Sequence, residues 1–312
     1  MTAFAFVFPG QGSQSVGMLD AWGDHPAVQR TLEEASAALG EDLGRLIHEG
    51  PKEALELTTN TQPVMLTAAI ACYAAWRAEG GAEPAAVAGH SLGEYSALVA
   101  AGALTLADAL PLVRLRAQAM QQAVPVGTGA MAAILGLDAA QVAAGCAEVA
   151  AASGEVVSPA NFNDPKQTVI AGSKAGVDAA CEKLKAMGAK RALLLPVSAP
   201  FHCALMKPAA EVLRERLAGV AISPPRIPVV NNIDVAVQSE PDAIRDALYR
   251  QAFGPVRWVE VVAALKARGL AHVVECGPGK VLAGLVKRCD PELATMTLLD
   301  PASLADAKGL LQ

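Results

Sequence analysis

Gly89-His90-Ser91-Leu92-Gly93 sets a serine between two glycines at the G-x-S-x-G spacing of a nucleophile elbow. A short apolar run, Ala85 to Ala88, precedes it, and a helical stretch from Glu94 to Ala101 follows. A turn that tight needs glycines to give the backbone room, and it lifts the serine hydroxyl into an exposed position. The helix behind it aims free N–H groups at the same point, where they can steady an oxyanion. The same bracket also occurs around a serine that only caps a helix; the strand-turn-helix context favours the nucleophile. An unassisted hydroxyl is a poor nucleophile, so this chemistry needs a base.

Five histidines are available. His90 adjoins the serine and is expected to point away from the line of attack. His25 and His48 lie in polar helix-end contexts that suit the surface, and His272 opens an apolar strand. His202 ends the loop Ser198-Ala199-Pro200-Phe201-His202, the kind of segment where functional residues collect. Loop position alone does not separate it from a structural histidine. Cys203 beside it is a second candidate nucleophile, although adjacent side chains diverge and a buried thiol is the commoner fate.

Arg116 sits in Val113-Arg114-Leu115-Arg116-Ala117, a helical stretch that is otherwise apolar, and Arg114 faces another side. Taken alone, either arginine reads first as a helix-surface ion pair. An inward-turned guanidinium would instead grip a ligand carboxylate through paired hydrogen bonds. Two glycine-rich loops are discounted as nucleotide sites. Gly10-Gln11-Gly12 leads to Ser15 where G-x-G-x-x-G needs its third glycine, and Gly277-Pro278-Gly279-Lys280 lacks the Walker spacing. The first can still present backbone N–H groups near Ser91; the second reads as a strand-to-helix turn.

The elements that must position these residues alternate. Strands are expected at Phe4 to Phe8 and Ala85 to Ala88, with helices at Pro26 to Leu39, Gln62 to Glu79, Glu94 to Ala101 and Leu106 to Ala123. That rhythm indicates a mainly parallel sheet with helices on its faces. From Gly127 to Val197 the order becomes β-α-β-β-α-β, with strands at Ala130 to Leu137, Val156 to Asn161, Gln167 to Ala171 and Arg191 to Val197. This is a ferredoxin-like arrangement. A helix at Leu205 to Leu217, a strand at Ile227 to Asn231, two helices and a strand at His272 to Cys276 complete the chain. The fold class is α/β: a larger α/β-hydrolase-like domain, residues 1–127 and 198–312, carrying an inserted α+β domain, residues 128–197.

Composition fits an enzyme of this build. The chain has 312 residues, 53% hydrophobic and 18% charged, which suits a packed core and excludes disorder. A net charge of -6 argues against nucleic-acid binding. Six scattered cysteines without a C-x-x-C pair suggest reduced thiols, no zinc knuckle and a cytoplasmic setting. Met1 to Phe8 is apolar but lacks a basic flank, so it reads as a strand and not as a signal peptide. The longest charge-free run, Ala117 to Leu137, is broken by glutamines, Pro125 and glycines and does not fit a membrane span.

Together these segments resemble the malonyl-CoA:acyl carrier protein transacylase family, the stand-alone enzymes of bacterial type II fatty acid synthesis. The resemblance runs through Phe8-Pro9-Gly10-Gln11-Gly12-Ser13-Gln14, Thr61-Gln62-Pro63, Gly89 to Glu94, Arg116 and Asn161-Phe162-Asn163. It continues through Phe201-His202, Asn231-Asn232, Pro255-Val256-Arg257-Trp258 and Glu275 to Gly279. It implies Ser91 as nucleophile, His202 as general base, Arg116 as malonate clamp, and the N–H groups of Gln11 and Leu92 as oxyanion hole. A main-chain carbonyl at the position of Gln251 would orient the histidine in place of a triad aspartate. Gln62 and Asn161 would line the cleft.

Phe201 departs from the serine that many stand-alone members carry, and resembles the malonyl-selective acyltransferase domains of modular synthases. The resemblance further implies malonyl-CoA as substrate, acyl carrier protein as partner with phosphopantetheine borne by that partner, no cofactor and no metal. A monomer is expected. An acidic carrier would need a basic face, for which Lys183, Lys185, Lys190 and Arg191 are candidates. Two rival readings are an α/β-hydrolase, with Asp164 as the available triad acid, and a non-catalytic carrier-binding module.

Overall fold

The computed structural model describes residues 2–311; Met1, where the apolar amino-terminal segment begins, lies outside them. The chain opens with β1 (Phe4–Phe8), α1 (Pro26–Leu39), α2 (Leu43–Glu49), α3 (Lys52–Glu56), α4 (Thr58–Ala78), β2 (Ala86–Gly89), α5 (Gly93–Ala100) and α6 (Leu106–Gln122). Every side chain of β1 is apolar, so neither face of the strand tolerates water, and all five residues are buried. Phe4 and Phe6 meet Trp76 of α4 edge-on at centroid distances of 5.9 and 5.5 Å. Each such pair adds about 1 kcal/mol beyond the area it buries.

The middle segment comprises β3 (Gly129–Leu135), α7 (Ala139–Ser153), β4 (Val157–Asp164), β5 (Gln167–Ser173), α8 (Lys174–Ala186) and β6 (Arg191–Leu194). Its strands form a separate antiparallel sheet in the order β4-β5-β3-β6, the ferredoxin-like arrangement. After it come α9 (Lys207–Ala218), β7 (Val229–Val230), α10 (Pro241–Gln251), α11 (Trp258–Ala267), β8 (His272–Cys276), α12 (Val281–Cys289), β9 (Ala294–Leu298) and α13 (Pro301–Leu311). The first sheet is parallel throughout, ordered β7-β2-β1-β8-β9, so the first and last thirds of the chain build one layer. Among the described residues no helix is long and apolar enough to cross a membrane. The six cysteines are unpaired, and five are buried.

Several element bounds differ from the sequence expectation. α4 starts at Thr58, not Gln62, and keeps Pro63 inside it. The proline costs one ladder bond in an early turn, while the Thr61 hydroxyl donates to Leu57 O at 3.0 Å. β6 stops at Leu194 instead of Val197, because Pro196 has no N–H for the ladder and Val197 N–H turns back to Leu195 O at 2.9 Å. β7 shrinks to two residues, since Asn231 N–H leaves the sheet for Ala236 O at 3.0 Å. The stretch expected as one helix from Leu205 opens as a 3-10 turn, Ala204–Met206, before α9. The short helices α2 and α3 carry too few turns for a periodic pattern to register.

Candidate functional site

The parallel strands β1 and β2 end side by side, with Phe8 opposite Gly89, and the loops leaving them build the site. Ligand sites in open parallel sheets lie at this carboxyl edge. The elbow is sterically closed to anything larger than glycine at its flanks. A Cβ on Gly89 would sit 1.9 Å from Gly93 C, and one on Gly93 would sit 2.0 Å from Phe8 O. Ser91 between them takes a left-handed backbone, φ 52°. His202 shares this uncommon conformation at φ 61°. For a non-glycine residue such geometry costs on the order of 1–3 kcal/mol and is held by its surroundings.

Those surroundings are visible. Ser91 N–H donates to Asn232 Oδ1 at 2.7 Å, and Asn232 Nδ2 donates to Gly89 O at 2.7 Å, so one amide side chain clasps both sides of the bend. Ser91 Oγ lies 2.6 Å from His202 Nε2. On the other side of the ring, Nδ1 faces two main-chain carbonyls, Gln251 O at 2.9 Å and Gly254 O at 3.2 Å. Carbonyls only accept, so Nδ1 carries the hydrogen and Nε2 is left free to take the serine proton. His202 is 4% exposed. Burial, and then the Arg116 cation, push its pKa down to about 3, against the pull of the Gln251 carbonyl. The imidazole is therefore neutral in the resting site.

Arg116 turns inward from α6 and is 3% exposed. Its Nη1 donates to Gln62 Oε1 at 2.7 Å, and Nη2 donates to Ser91 Oγ and Gln251 Oε1, both at 3.2 Å. The guanidinium lies over the Tyr95 ring, 5.5 Å from its centroid. Its neighbours are neutral amides and a hydroxyl, and its buried Nε has no partner among the described residues. Burial lowers its pKa, and the nearby Tyr95 and Glu94 work against that shift. Arg114 instead reaches Glu41 and Asn60, at 3.0 Å from the latter, at the edge of the fold. A desolvated cation held by neutral acceptors, with donors to spare, can receive a carboxylate.

Ser91, His202, Arg116, Gln11, Leu92, Gln62 and Asn161 line one cavity of about 230 Å³, while Gln251 stands behind it at 0% exposed. The N–H groups of Gln11 and Leu92 have no acceptor among the described residues. Phe201 contributes to the wall beside His202. His90 also faces the cavity, but its Nε2 is tied to Asn163 Oδ1 at 2.8 Å, away from Ser91 Oγ. Cys203 is buried, its thiol donating to Pro200 O at 3.1 Å, and burial raises its pKa to about 11. Asp164 has no place in the site: it accepts from Arg288 Nε at 2.7 Å and from Lys166 N–H at 2.9 Å. Of the basic candidates, Lys183 pairs with Glu148 at 2.5 Å, and Lys185, Lys190 and Arg191 are exposed.

Sequence reasoning attached no role to Asn232, Glu94 or Tyr95. Asn232 meets Gly89, Ser91 and Glu94 across 138 to 143 positions of chain, so no local pattern marks it.

The acyl transferase domain family matches residues 5–299. The malonyl CoA-acyl carrier protein transacylase of Escherichia coli is 56% identical over 311 residues, covering 99% of this chain and 100% of the relative. The crystal structure of an acyl-carrier-protein S-malonyltransferase from Burkholderia pseudomallei superposes with a TM-score of 0.97 at 65% identity, covering 99% of this chain and 100% of that one. A malonyl-transacylase solved in complex with its type II polyketide-synthase acyl-carrier protein gives 0.96 at 50% identity, covering 99% of each chain. The chain belongs to the malonyl CoA-acyl carrier protein transacylase family of acyl transferases.

Proposed function

We propose that this chain transfers a malonyl group from malonyl-CoA to the phosphopantetheine thiol of acyl carrier protein, through a malonyl ester on Ser91, in fatty acid biosynthesis. The observation that carries the reading is the convergence of two groups on one oxygen: His202 Nε2 at 2.6 Å and Arg116 Nη2 at 3.2 Å, both against Ser91 Oγ.

In the first half-reaction His202 Nε2 takes the Ser91 proton as Oγ attacks the thioester carbon. The N–H groups of Gln11 and Leu92 hold the oxyanion. The carbon–sulfur bond then breaks, and His202 returns the proton to the departing CoA thiolate. The phosphopantetheine thiol enters by the reverse route: His202 takes its proton, the sulfur attacks the ester carbon, and the proton returns to Ser91 Oγ. Gln251 O holds the ring so that Nε2 faces Ser91 throughout. Gln62 braces the guanidinium, and Asn161 lines the acyl-binding wall. The buried cation selects the acyl group, because an acetyl chain leaves it desolvated and unpaired.

The chemistry requires no cofactor or metal, and the protein works as a cytoplasmic monomer. Its small domain spans 128–197 and its larger domain 1–127 and 198–312. Intact-mass measurement after mixing with malonyl-CoA, acetyl-CoA and methylmalonyl-CoA tests the assignment. A stable malonyl adduct, discharged by added holo-carrier protein, is expected. Release of free malonate without dependence on a thiol acceptor would favour a hydrolase.

A further inference from the structure

Glu94 follows the elbow on α5 and is 2% exposed, with no basic side chain bonded to it. One of its oxygens, Oε2, accepts from Asn232 N–H at 2.8 Å and from Gln251 Nε2 at 3.1 Å. These two partners are the residues that hold the site from opposite sides. Asn232 clasps Ser91 N–H and Gly89 O; Gln251 donates to Ser91 O at 3.0 Å, receives Arg116 Nη2 on its own Oε1, and offers its carbonyl to His202. The bonds close a ring through Ser91 N, Asn232, Glu94, Gln251 and Ser91 O.

The orientation of the Gln251 amide decides what Arg116 meets. An amide turned end for end would present NH₂ to the guanidinium, donor against donor. Glu94 Oε2 accepts from both Asn232 N–H and the Gln251 NH₂, which holds that NH₂ end toward Glu94 and leaves Oε1 for Arg116. Burial without a bonded cation pushes the carboxyl up to about 7. Retaining an acid at that cost points to its bonding. The charged groups bearing on it are Arg116, which opposes the rise, and Asp234, which adds to it.

We propose that Glu94 is a positioning residue, which fixes the Gln251 amide so that Arg116 keeps an acceptor and stays aimed at the acyl carboxylate, while the Asn232 bond ties the same carboxylate to the Ser91 bend. The proposal rests on the transacylase reading of Ser91 and Arg116.

The test compares Glu94→Gln and Glu94→Leu with the parent in acylation by malonyl-CoA and by acetyl-CoA, read as adduct formation rates. The Gln side chain keeps an oxygen able to accept both bonds and is expected to retain most of the malonyl transfer. The Leu side chain offers no acceptor, and a misaimed guanidinium is expected to lower malonyl kcat/KM by about 10-fold or more. Acetyl transfer should fall less, so the malonyl-to-acetyl ratio drops. Combined with Gln251→Ala, Glu94→Leu should add little further loss, because both act through one amide.

If Leu does not fold, Glu94→Asp, which keeps the charge and withdraws the oxygen by one methylene, should show the same fall in ratio. Equal losses for both acyl groups, full additivity with Gln251→Ala, or a Gln variant as impaired as Leu would overturn the proposal. A parent protein that forms no malonyl adduct would instead defeat the underlying reading, and the two failures are distinguishable in one experiment.

Discussion

Arg116 Nη2 donates to Ser91 Oγ at 3.2 Å, so the cation proposed to receive the acyl carboxylate touches the proposed nucleophile itself. A carboxylate that pairs with this guanidinium while its thioester meets Oγ must belong to a short chain. The contact also places a positive charge beside Oγ, which favours loss of its proton to His202.

Arg116→Ala should therefore remove the carboxylate's partner and lower malonyl kcat/KM by about 100-fold or more, the worth of one or two charge-assisted hydrogen bonds. Acetyl transfer should be retained or rise, because the unpaired buried cation is gone. Parallel acylation rates with the two thioesters check this. An equal fall for both would assign Arg116 to scaffolding.

Ser91→Ala should abolish the acyl adduct while the thermal unfolding midpoint stays close to the parent's. Both side chains suffer the same strain at φ 52°, and the clasp on Ser91 uses only main-chain atoms, N–H to Asn232 and O to Gln251. Intact mass after malonyl-CoA treatment decides the matter, and a persisting adduct would place the nucleophile elsewhere.

What the sequence revealed and concealed follows from distance along the chain. The elbow was legible because strand, glycines, serine and helix are contiguous and their sterics are local. The ferredoxin-like order was legible for the same reason. Arg116 and His202 were ambiguous as isolated residues, since an arginine on a helix and a histidine in a loop have ordinary uses, and only the wider resemblance singled them out. Glu94 was in plain view in Gly89 to Glu94, but its partners come from β7's exit and the end of α10, more than a hundred positions away. The early start of α4 was missed because Pro63 reads as a helix opener, whereas the fold tolerates it within.

As the proposed base, His202 should govern the acid side of the pH profile. Burial and Arg116 hold its pKa well below the usual histidine range, at about 3, so the base stays unprotonated as pH falls through 6.5. The acid limb of acylation kcat/KM should accordingly lie below that of an exposed histidine. In Arg116→Ala, followed with acetyl-CoA, the limb should move up, though only in part, because burial is the larger cause. Stopped-flow acylation across pH 4 to 8 measures both. A parental limb at 6.5 or above would contradict the neutral, Arg116-depressed imidazole.

Glu94 should leave a signature in stability. Its carboxyl is raised from 4.5 to about 7, so the native state holds the proton more tightly than the unfolded chain does. The contribution is fully present below pH 4.5 and is lost as pH rises through about 7, where the native state must keep a buried carboxylate that the unfolded chain exposes. The whole effect is on the order of 3 kcal/mol. Glu94→Gln has no such titration, and titrations elsewhere cancel between the two proteins. The unfolding midpoint of the parent relative to the Gln variant should therefore fall between pH 5 and pH 8, by several degrees for a chain of this length. Calorimetry at the two pH values measures the difference, and a gap that stays constant would mean that the carboxyl titrates as it does in water.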